Sequence, residues 1–547
     1  MSTHVVVAPL LVALVTAILT LGTRRYPRVQ RTLSILGIGS YAVSVVALVS
    51  RVIPLSVLSG SGGTTETLTY QVSNWPAPFG ISLVADPLSA FMLLLTIAVV
   101  VPTLAFSVLY VEEFGQRVSY HTLYHFMLAG VSGAFLTGDV FNLFVWFEVM
   151  LMPSYVLVVF YGREEHTRAA LQYTVLNLLG SAVMLVAIGG IYATTGTLNM
   201  ADLARRLANA GEFGIDPAPV LGLGAILFAV FALKAGIVPF QFWVPSVYRA
   251  APAPVSAVLA GVTKKVGVYA IIRLLFTVFG ASAFGDRLAP ATIPDGLGTG
   301  LAGDSFLAFF GPALFVMAVA SILVGGLGAV SRTDVDEMLA YSSIGQVGFI
   351  VLALALAATG TRTVAIAGLI AALVYSLNHA IAKSLLFLVS GAVAQSVGTI
   401  RFDALGGLAA RRPFIASSFF LGGIALVGIP PLTGFFGKLL VFDTAVTAIN
   451  ANVPFAAVAL AVALAGAVLT IAYITRAWNL AFWGPESDPV ARSYRPTGIV
   501  VIVVAFALLV VVLGVGFDPV YRAAEAAAHA ATDRASYVQA VAPEVVG

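Results

Sequence analysis

All five lysines of the chain lie inside apolar stretches that are long enough to cross a bilayer. The arginines lie mostly in the connections between these stretches or near their ends, and Arg273 is the clearest exception. Arginine stays charged, whereas a lysine amine removed from water can release and rebind a proton near neutral pH. Placing an ionisable group in the bilayer interior costs at least about 2.5–3.5 kcal/mol. The pattern therefore predicts proton transfer by Lys234, Lys264, Lys265, Lys383 and Lys438.

The carboxylates strengthen this interpretation because almost none of them lies where a buried lysine could pair with it. Of the 25 acidic residues, only Glu148 is near the middle of an apolar stretch. Asp86 and Asp139 stand at the beginnings of stretches, and Asp443 stands near an end. One carboxylate cannot neutralise five ammonium groups, so the remaining lysines must be neutral part of the time, hydrated, or paired across a subunit boundary. The structural alternative is a Glu–Lys ion pair with the other lysines reaching toward the membrane surface.

The spacing of two groups of polar residues determines in which directions their side chains point from a helix. Lys264 and Lys265 are adjacent and point about 100° apart on a helix, so one can line a path while the other reaches the membrane surface. Tyr375, His379 and Lys383 follow i, i+4, i+8 spacing and stack along one helical face. A single histidine on such a face is more often a satisfied interior residue. Its position between a phenol and a lysine favours hydrogen-bonded proton passage.

Two of the apolar stretches are interrupted by proline, and each interruption has a lysine beside it. Pro239 follows Lys234, and Pro430 and Pro431 precede Lys438. Proline frees backbone carbonyls, which is tolerated at membrane depth only inside protein or beside water. Paired interrupted helices are typical of internal repeats with functional sites at the breaks. The pattern predicts two inverted five-helix repeats, with broken helices 7 and 12.

Composition sets the class of protein to which these residues belong. The chain is 60% hydrophobic and only 10% charged, with a mean hydropathy of +1.00, whereas soluble domains carry about 25% charged residues. We therefore expect an all-α, multi-pass membrane protein with about fourteen transmembrane helices. The predicted spans are 4–22, 32–50, 88–110, 119–137, 139–161, 168–195, 218–243, 254–280, 304–330, 335–358, 363–391, 413–445, 453–482 and 497–516.

The spans divide the chain into four predicted parts. Residues 1–118 hold spans 1–3 and an external loop at 51–87, and residues 119–280 form the first repeat, with spans 4–8. Residues 281–482 form the second repeat, with spans 9–13, and residues 483–547 hold span 14 and an external tail that is alanine-rich and helical. Arginines concentrate in the connections on one side, which the positive-inside rule assigns to the cytoplasm. Both termini are therefore predicted to lie outside the cell.

Several classes of function are excluded by what the sequence lacks. It has no cysteine, which excludes thiolate metal sites and cysteine-bound iron–sulfur clusters. We find no Walker A pattern, no dinucleotide fingerprint and no metal-ligand cluster among the six histidines, so no cofactor and no resident metal are expected. A net charge of +3 without a basic run gives no reason to expect nucleic acid as a partner.

Six short motifs follow one another along nearly the whole chain. They are Phe141-Asn142-Leu143-Phe144 with Glu148, Leu233-Lys234-Ala235, Thr263-Lys264-Lys265-Val266-Gly267-Val268-Tyr269, Leu339-Ala340-Tyr341-Ser342-Ser343-Ile344-Gly345-Gln346, Asn378-His379 with Lys383-Ser384-Leu385-Leu386-Phe387, and Lys438. In these motifs the chain resembles the proton-translocating antiporter-like subunits shared by respiratory complex I and the Mrp-type multisubunit cation/proton antiporters. Trp75 to Ile81, followed by Leu83 to Ser89, is most similar to the D-type subunit of the Mrp antiporters.

The resemblance implies a role for each matched residue. Glu148 and Lys234 would form a coupled pair in a first half-channel, and Lys265 would connect it toward the second half. His379 and Lys383 would form a central relay and Lys438 the terminal lysine. Where members often carry another histidine, this chain has a tyrosine. The supporting polar path would include Tyr375, Asp139, Lys264 and Gln346.

The resemblance also implies an assembly and an activity. The chain would be an ion-translocating transporter subunit of a prokaryotic cell membrane rather than an enzyme. Its partners would be Mrp subunits of the A, B, C, E, F and G types, and the complex would exchange cytoplasmic Na⁺ or Li⁺ for external protons in pH homeostasis. The alternative is a proton-pumping subunit of NADH:quinone oxidoreductase or of a membrane-bound hydrogenase. A stand-alone anion channel lined by lysines is a third hypothesis, which would require activity from the single chain.

Overall fold

The computed structural model describes residues 4–112, 119–162, 164–280 and 305–543, and these form a bundle of mostly long helices. The numbered helices are α1 (His4–Gly22), α2 (Pro27–Val52), α3 (Pro87–Tyr110), α4 (Tyr120–Leu136), α5 (Val140–Val158), α6 (Glu164–Thr195), α7 (Pro217–Ala235), α8 (Ala253–Val278), α9 (Phe306–Ser331), α10 (Val335–Thr359), α11 (Arg362–Val397), α12 (Pro413–Val427), α13 (Thr433–Asn450), α14 (Ala456–Phe482), α15 (Thr497–Val515), α16 (Phe517–Thr532) and α17 (Arg534–Val541). Short helices lie at Leu55–Leu58, Met200–Ala208, Val244–Ala250, Leu408–Arg411 and Asp488–Ala491.

Within the described residues, twelve helices are long and apolar enough to cross a membrane. The all-helical, multi-pass class is thereby confirmed. Of the other two predicted spans, 119–137 corresponds to the 17-residue helix α4. The span 413–445 corresponds to α12 and α13, which are separated by the proline break. The total of fourteen crossings stays a prediction, as does the division into repeats. The boundary placed at 280/281 lies at the edge of a described range, and residues 281–303, which begin the predicted second repeat, lie outside the described residues.

The helix ends follow the local chemistry of the sequence. Proline is the first residue of α2, α3, α7 and α12, where the missing N–H is not needed. Asp86, Asp139 and Asp334 precede α3, α5 and α10, and each side chain accepts a hydrogen bond from a backbone N–H of the first turn. Gly236 and Gly428 end α7 and α12 in the left-handed conformation, with φ of 67° and 93°. Both predicted breaks are therefore helix ends.

The connection between α2 and α3 departs from the expected irregular loop. It contains a β-hairpin of β1 (Leu68–Gln71) and β2 (Ser82–Ala85), which pair antiparallel with Leu68 opposite Ala85 and Gln71 opposite Ser82. Strands of four residues are too short for an alternating pattern to distinguish a strand from a loop. An isolated two-stranded hairpin is only marginally stable, so its packing on the helical bundle determines that it forms.

Helices α8, α10 and α11 occupy the centre of the bundle and are buried on nearly all sides. Small residues permit close packing there: a Cβ added to Gly325 of α9 would collide with the backbone nitrogen of Gly345 in α10. Two segments of α8, Leu259–Thr263 and Arg273–Val278, have π-helical hydrogen bonding. Such bulges occur frequently at functional sites.

The two ends of the described chain lie at the same end of the bundle. His4 of α1 contacts Tyr70 of β1, with 5.6 Å between ring centroids. The neighbouring Gln71 donates from Nε2 to the carbonyl of Val541 in α17, at 3.3 Å. The alanine-rich tail is helical as expected, and the buried face of α16 packs against α3 and α11. The structure places the termini together, and their exposure to the outside of the cell stays a prediction.

Candidate functional site

Glu148 lies at the middle of α5 and faces α6. Its Oε1 accepts a hydrogen bond from the Ser181 hydroxyl of that helix. The carboxylate is partly buried and interacts electrostatically with the amine of Lys234. No direct ion pair joins these two residues, because the amine is directed to a tyrosine. The pairing expected from the sequence is therefore a longer-range coupling.

Lys234 lies in the last turn of α7, with its amine enclosed by aromatic rings. Its Nζ donates to the hydroxyl of Tyr173 on α6 at 2.7 Å and lies 5.8 Å from the ring centroid of Phe147. Trp243 stacks on Tyr173 at 4.9 Å, and its ring N–H donates to the carbonyl of Leu233 at 2.9 Å. The break after α7 therefore brings Trp243 back to cap the helix end and fix the phenol that holds the amine.

Lys264 lies on α8 between Lys234 and the centre of the bundle. Its Nζ has no hydrogen-bond partner in the described residues and lies 5.2 Å from the ring centroid of Tyr248. A Cβ added to Gly236 would lie 3.0 Å from this amine, so the amine packs against the end of α7. Its charge interacts with that of Lys234 on one side and Lys265 on the other. Lys264 therefore interacts with a neighbouring lysine on each side.

Lys265 joins α8 to α11. Its Nζ contacts Nδ1 of His379 directly and donates to the carbonyl of Ala260 at 3.1 Å. Ala260 belongs to the first π-helical segment of α8, so the local backbone geometry lets its carbonyl accept this side chain. Both Lys264 and Lys265 have 0% relative exposure. The alternative that one of the two reaches the membrane surface is wrong.

The face predicted on α11 forms, and its three members contact two neighbouring helices. Lys383 donates from Nζ to the carbonyl of Leu339 at 3.1 Å and to the hydroxyl of Ser342, both on α10. Tyr375 donates to Oε1 of Gln346, also on α10. The polar face of α11 therefore interacts with α10 at its two ends and with α8 at its middle.

Gln346 extends this network to α14. Its Nε2 donates to the hydroxyls of Thr470 at 3.0 Å and Tyr473 at 2.9 Å. Because the side chain accepts from Tyr375 and donates to two hydroxyls, it connects three helices. The structure places Gln346 in a hydrogen-bonded polar cluster, and its part in proton transfer stays a prediction.

Lys438 lies on α13, after the second break, and its side chain turns back toward α12. Its Nζ donates to the carbonyl of Val427, in the last turn of α12, at 3.0 Å and lies 5.3 Å from the ring centroid of Phe349. The break that contains Pro430 and Pro431 makes this approach possible. At the first break a carbonyl of the last helical turn, that of Leu233, accepts from an indole N–H, and here the carbonyl of Val427 accepts from an amine.

The lysines share two physical properties. Their relative exposure is 0%, or 4% for Lys438, so none reaches the membrane surface. In the part of the chain that the structure describes, no lysine forms an ion pair with a carboxylate. Buried charges normally require such partners. The lysines are therefore buried without carboxylate partners in the described residues, and proton exchange by them stays a prediction.

Asp139 and Pro239 do not join this polar row. Asp139 accepts from the backbone N–H of Asn142 at 2.8 Å and caps α5. Burial raises the pKa of Asp139 above its ordinary value of 3.8, in spite of that hydrogen bond. Pro239 lies in the break, where the neighbouring backbone N–H of Val238 donates to Ser321 at 3.0 Å. Asp139 therefore caps a helix, and Pro239 belongs to the helix break.

A buried ion pair lies near the terminal end of the bundle. Arg273 of α8 donates from Nη2 to Asp86 at 2.7 Å, and both side chains are almost completely buried. Burial opposes ionisation, but the guanidinium outweighs it and holds the pKa of Asp86 below its ordinary value of 3.8. Tyr537 of α17 lies over Arg273, with 5.0 Å between the ring centroid and Cζ. Arg273, the arginine that lies inside an apolar stretch, therefore has a carboxylate partner in Asp86.

Several residues that contact Glu148 or the lysines were missed from the sequence. They are Tyr173, Ser181, Trp243 and Ser342, whose side chains resemble ordinary interior residues until the helices pack. Asp336, on the second position of α10, was also missed because acidic residues in a first turn are typical of helix N-termini. In the described residues no cluster of three or more His, Cys, Asp or Glu side chains could hold a metal ion.

Comparison with known proteins identifies the family. The model for "NADH:quinone oxidoreductase/Mrp antiporter", transmembrane part, matches residues 137–287 and 305–470. The D-type subunit of the Na(+)/H(+) antiporter of Alkalihalophilus pseudofirmus is 34% identical over 99% of this chain and 100% of that protein. The protein of the same name from Bacillus subtilis is 31% identical over 98% of this chain and 99% of its own length.

Two solved structures are similar over nearly the whole chain. A chain of the Mrp complex from Dietzia sp. has a TM-score of 0.81 and 27% identity, covering 99% of this chain and 100% of that one. A chain of the membrane-bound sulfane sulfur reductase, an archaeal respiratory membrane complex, has a TM-score of 0.84 and 26% identity with the same coverage.

The fold and the site together define a multi-pass membrane protein that holds a row of amines in its interior. The chain belongs to the NADH:quinone oxidoreductase/Mrp antiporter transmembrane family. The resemblance seen in the motifs is confirmed.

Proposed function

We propose that the chain is the proton-translocating subunit of a multisubunit Na⁺/H⁺ antiporter, and that it is a transporter subunit rather than an enzyme. Protons move along Glu148, Lys234, Lys265, His379, Lys383 and Lys438, with Lys264, Tyr375 and Gln346 as supporting groups. The observation that supports the proposal is the arrangement of the five buried lysines in a row. Five buried amines without carboxylate partners span α7, α8, α11 and α13, and aromatic or hydroxyl groups fill the gaps between them.

Electrostatic repulsion between neighbouring amines supplies the driving mechanism. Lys264 interacts with both Lys234 and Lys265, so a proton on one of them disfavours a proton on the next. At the low dielectric of the interior this coupling is stronger than in water. Protonation near Glu148 therefore repels the next proton toward Lys383. From there the proton passes the uncharged side chains of Tyr375 and Gln346 on its way to Lys438.

The antiporter is favoured over a redox-driven enzyme by the relatives that match along their whole length. Those from Alkalihalophilus pseudofirmus and Bacillus subtilis are both named as D-type subunits of Na(+)/H(+) antiporters. Overall shape does not separate the two functions, since an archaeal respiratory complex has an equally similar chain. The alternative is therefore a proton-pumping subunit of such a complex, and co-purification distinguishes the two. Small membrane partners support the antiporter, and iron–sulfur partners support the enzyme.

The proposed setting follows from the same assignment. The chain lies in the cell membrane of a prokaryote with both termini outside, next to Mrp subunits of the A, B, C, E, F and G types. Arginines such as Arg249, Arg332 and Arg401 lie together at the opposite end of the bundle, around Glu337 and Asp334. That end is accordingly cytoplasmic. The assembled complex exchanges Na⁺ or Li⁺ for protons.

Proton flux in everted vesicles that contain the assembled complex tests the proposal. Glu148→Ala and Lys234→Ala are expected to abolish the proton flux driven by a Na⁺ pulse, because each removes an ionisable member of the row. Glu212→Gln, which changes an exposed carboxylate in a connection, is the matched control and is expected to transport normally. Normal flux from both row variants in an intact complex would reject the proposed path.

A further inference from the structure

A polar cavity of about 660 Å³ lies at the end of the bundle where the arginines gather. Its lining includes Tyr110, Glu112, His166, Arg249, Asp336 and Ser390. At its rim Arg249 donates to Glu337 at 3.0 Å, and about half of the arginine side chain is exposed. The cavity is large enough for many water molecules, and its lining offers them polar partners.

Asp336 forms part of the inner wall of this cavity. Its Oδ1 accepts a hydrogen bond from the Ser390 hydroxyl of α11 at 2.5 Å. In the described part of the chain no cation forms an ion pair with it, although Arg249 and Asp334 both act on it electrostatically. The N-cap position of α10 is already filled by Asp334, which accepts from the N–H of Glu337 at 2.8 Å. Asp336 is therefore not needed to cap the helix.

Charged and titratable groups line the cavity around Asp336. Tyr110 and Glu112 come from α3 and its end, His166 from α6, and Arg249 from the Val244–Ala250 helix. These lining groups give water in the cavity several hydrogen-bond partners. Asp334 and Glu337 are neighbours of Asp336 in the chain, and Asp334 acts on it electrostatically. Asp336 also accepts a hydrogen bond from Ser390 of α11.

Two adjacent helices connect Asp336 to Lys383. On α10, Leu339 is three residues beyond Asp336, a rise of about 4.5 Å, and its carbonyl accepts from Lys383 Nζ at 3.1 Å. On α11, Ser390 is seven residues beyond Lys383 and therefore lies on the same face. The Ser342 hydroxyl of α10 also accepts from Lys383, near the level of the Leu339 carbonyl. Ser390 lies ~10 Å from Lys383 along the axis of α11, so water molecules must carry the proton across the remaining gap.

We propose that Asp336 is a proton-exchange site that transfers protons between water in this cavity and the central lysine Lys383. The carboxylic acid gives its proton to the neutral amine, which leaves a carboxylate and an ammonium group. Water in the cavity then returns a proton to the carboxylate. This inference rests on the proposed function and adds an entrance to the middle of the row, on the end assigned to the cytoplasm.

The test compares Asp336→Asn, Asp336→Glu and Glu337→Gln in the assembled complex in everted vesicles. Asp336→Asn keeps size and hydrogen bonding but cannot exchange a proton, so Na⁺-driven proton flux is expected to fall at least tenfold. Asp336→Glu is expected to restore most of the flux. Glu337→Gln removes the neighbouring rim charge and is expected to stay within twofold of the unaltered complex.

Small weak acids supply a readout that a purely structural role would not change. Sodium azide or formate can enter the cavity and carry protons, so either one is expected to restore flux to Asp336→Asn and leave the unaltered complex unaffected. Unaltered flux in Asp336→Asn overturns the inference. So does a loss of flux that neither the glutamate variant nor the weak acids restore.

Lys383→Ala, measured alongside, separates this inference from the proposed function. Normal flux in Lys383→Ala means that the proposed row fails and Asp336 has no lysine to supply. An inactive Lys383→Ala together with a normal Asp336→Asn overturns the entrance alone.

Discussion

The amine of Lys265 lies directly against Nδ1 of His379, which joins α8 to α11 at the centre of the bundle. An ammonium group and an imidazolium ion are both hydrogen-bond donors, so they cannot form this contact when both carry charge. The pair therefore holds at most one excess proton. A pair of this kind transfers a proton by exchanging which member carries it.

Replacing His379 tests that shared proton. In His379→Gln the side-chain oxygen still accepts from Lys265, but it cannot take up a proton near neutral pH. We expect flux to fall at least about tenfold, since a positioned proton-transfer group contributes about 10²-fold or more. The measurement is Na⁺-driven proton flux in everted vesicles with equal amounts of assembled complex. Wild-type flux in this variant would remove His379 from the path.

Tyr173→Phe removes the hydroxyl that holds the Lys234 amine. The ring stack on Trp243 remains, so the loss is restricted to the hydrogen bonds that the hydroxyl accepts from Lys234 at 2.7 Å and from Ser154 at 3.4 Å. A hydrogen bond to a charged group contributes about 1.5–3 kcal/mol, and we therefore expect about a tenfold loss of flux. Tyr192→Phe, on an exposed position of the same helix, is the control and should have no effect. Equal flux in both variants would contradict a part for Tyr173.

Gly236→Ala tests the packing of Lys264 against the end of α7. The new Cβ would stand 3.0 Å from the amine and 2.7 Å from Val244 Cγ2. Gly398 ends α11 in the same left-handed conformation, with open space around it, so Gly398→Ala has the backbone cost alone. That cost is about 1–2 kcal/mol. We expect both variants to lower the thermal midpoint of the complex, and only Gly236→Ala to reduce flux strongly. Equal flux in the two variants would contradict this.

The ion pair between Asp86 and Arg273 is expected to matter for folding. Arg273→Met leaves the Asp86 carboxylate buried without its partner, which costs about 3–5 kcal/mol. The double variant Arg273→Met with Asp86→Asn removes the uncompensated charge and should recover much of that loss. The measurement is the yield and thermal midpoint of the purified complex. A double variant as unstable as Arg273→Met would count against an electrostatic cause.

The pH dependence of this pair has a definite sign. The pKa of Asp86 is lower in the folded protein than its ordinary value of 3.8, so ionisation stabilises the fold. The contribution is complete above that ordinary value and disappears as the pH falls through the lowered pKa. Thermal midpoints of the unaltered complex and of Asp86→Asn should therefore converge only in strong acid. A difference that vanishes already near neutral pH would contradict this assignment.

Much of the helical architecture could be predicted from the sequence. Hydrophobic runs located most helices to within a few residues, and prolines located both breaks, because these signals are local to the chain. The hairpin before α3 was missed, since four-residue strands give little periodic signal and depend on packing for stability. Asp139 was placed in the supporting polar path; the structure shows that it caps α5, and its part in proton transfer stays a prediction.

The identity of the buried residues was set by the sequence, and their partners were set by packing. Placing five lysines in apolar segments determined that the interior holds buried amines, because their membrane-crossing helices cannot leave the bilayer. The tertiary structure decided that Lys265 meets His379, that Lys438 turns back to α12, and that Asp336 lines a polar cavity. These contacts join residues far apart in the chain, and helix rotation and close glycine packing determine which faces meet.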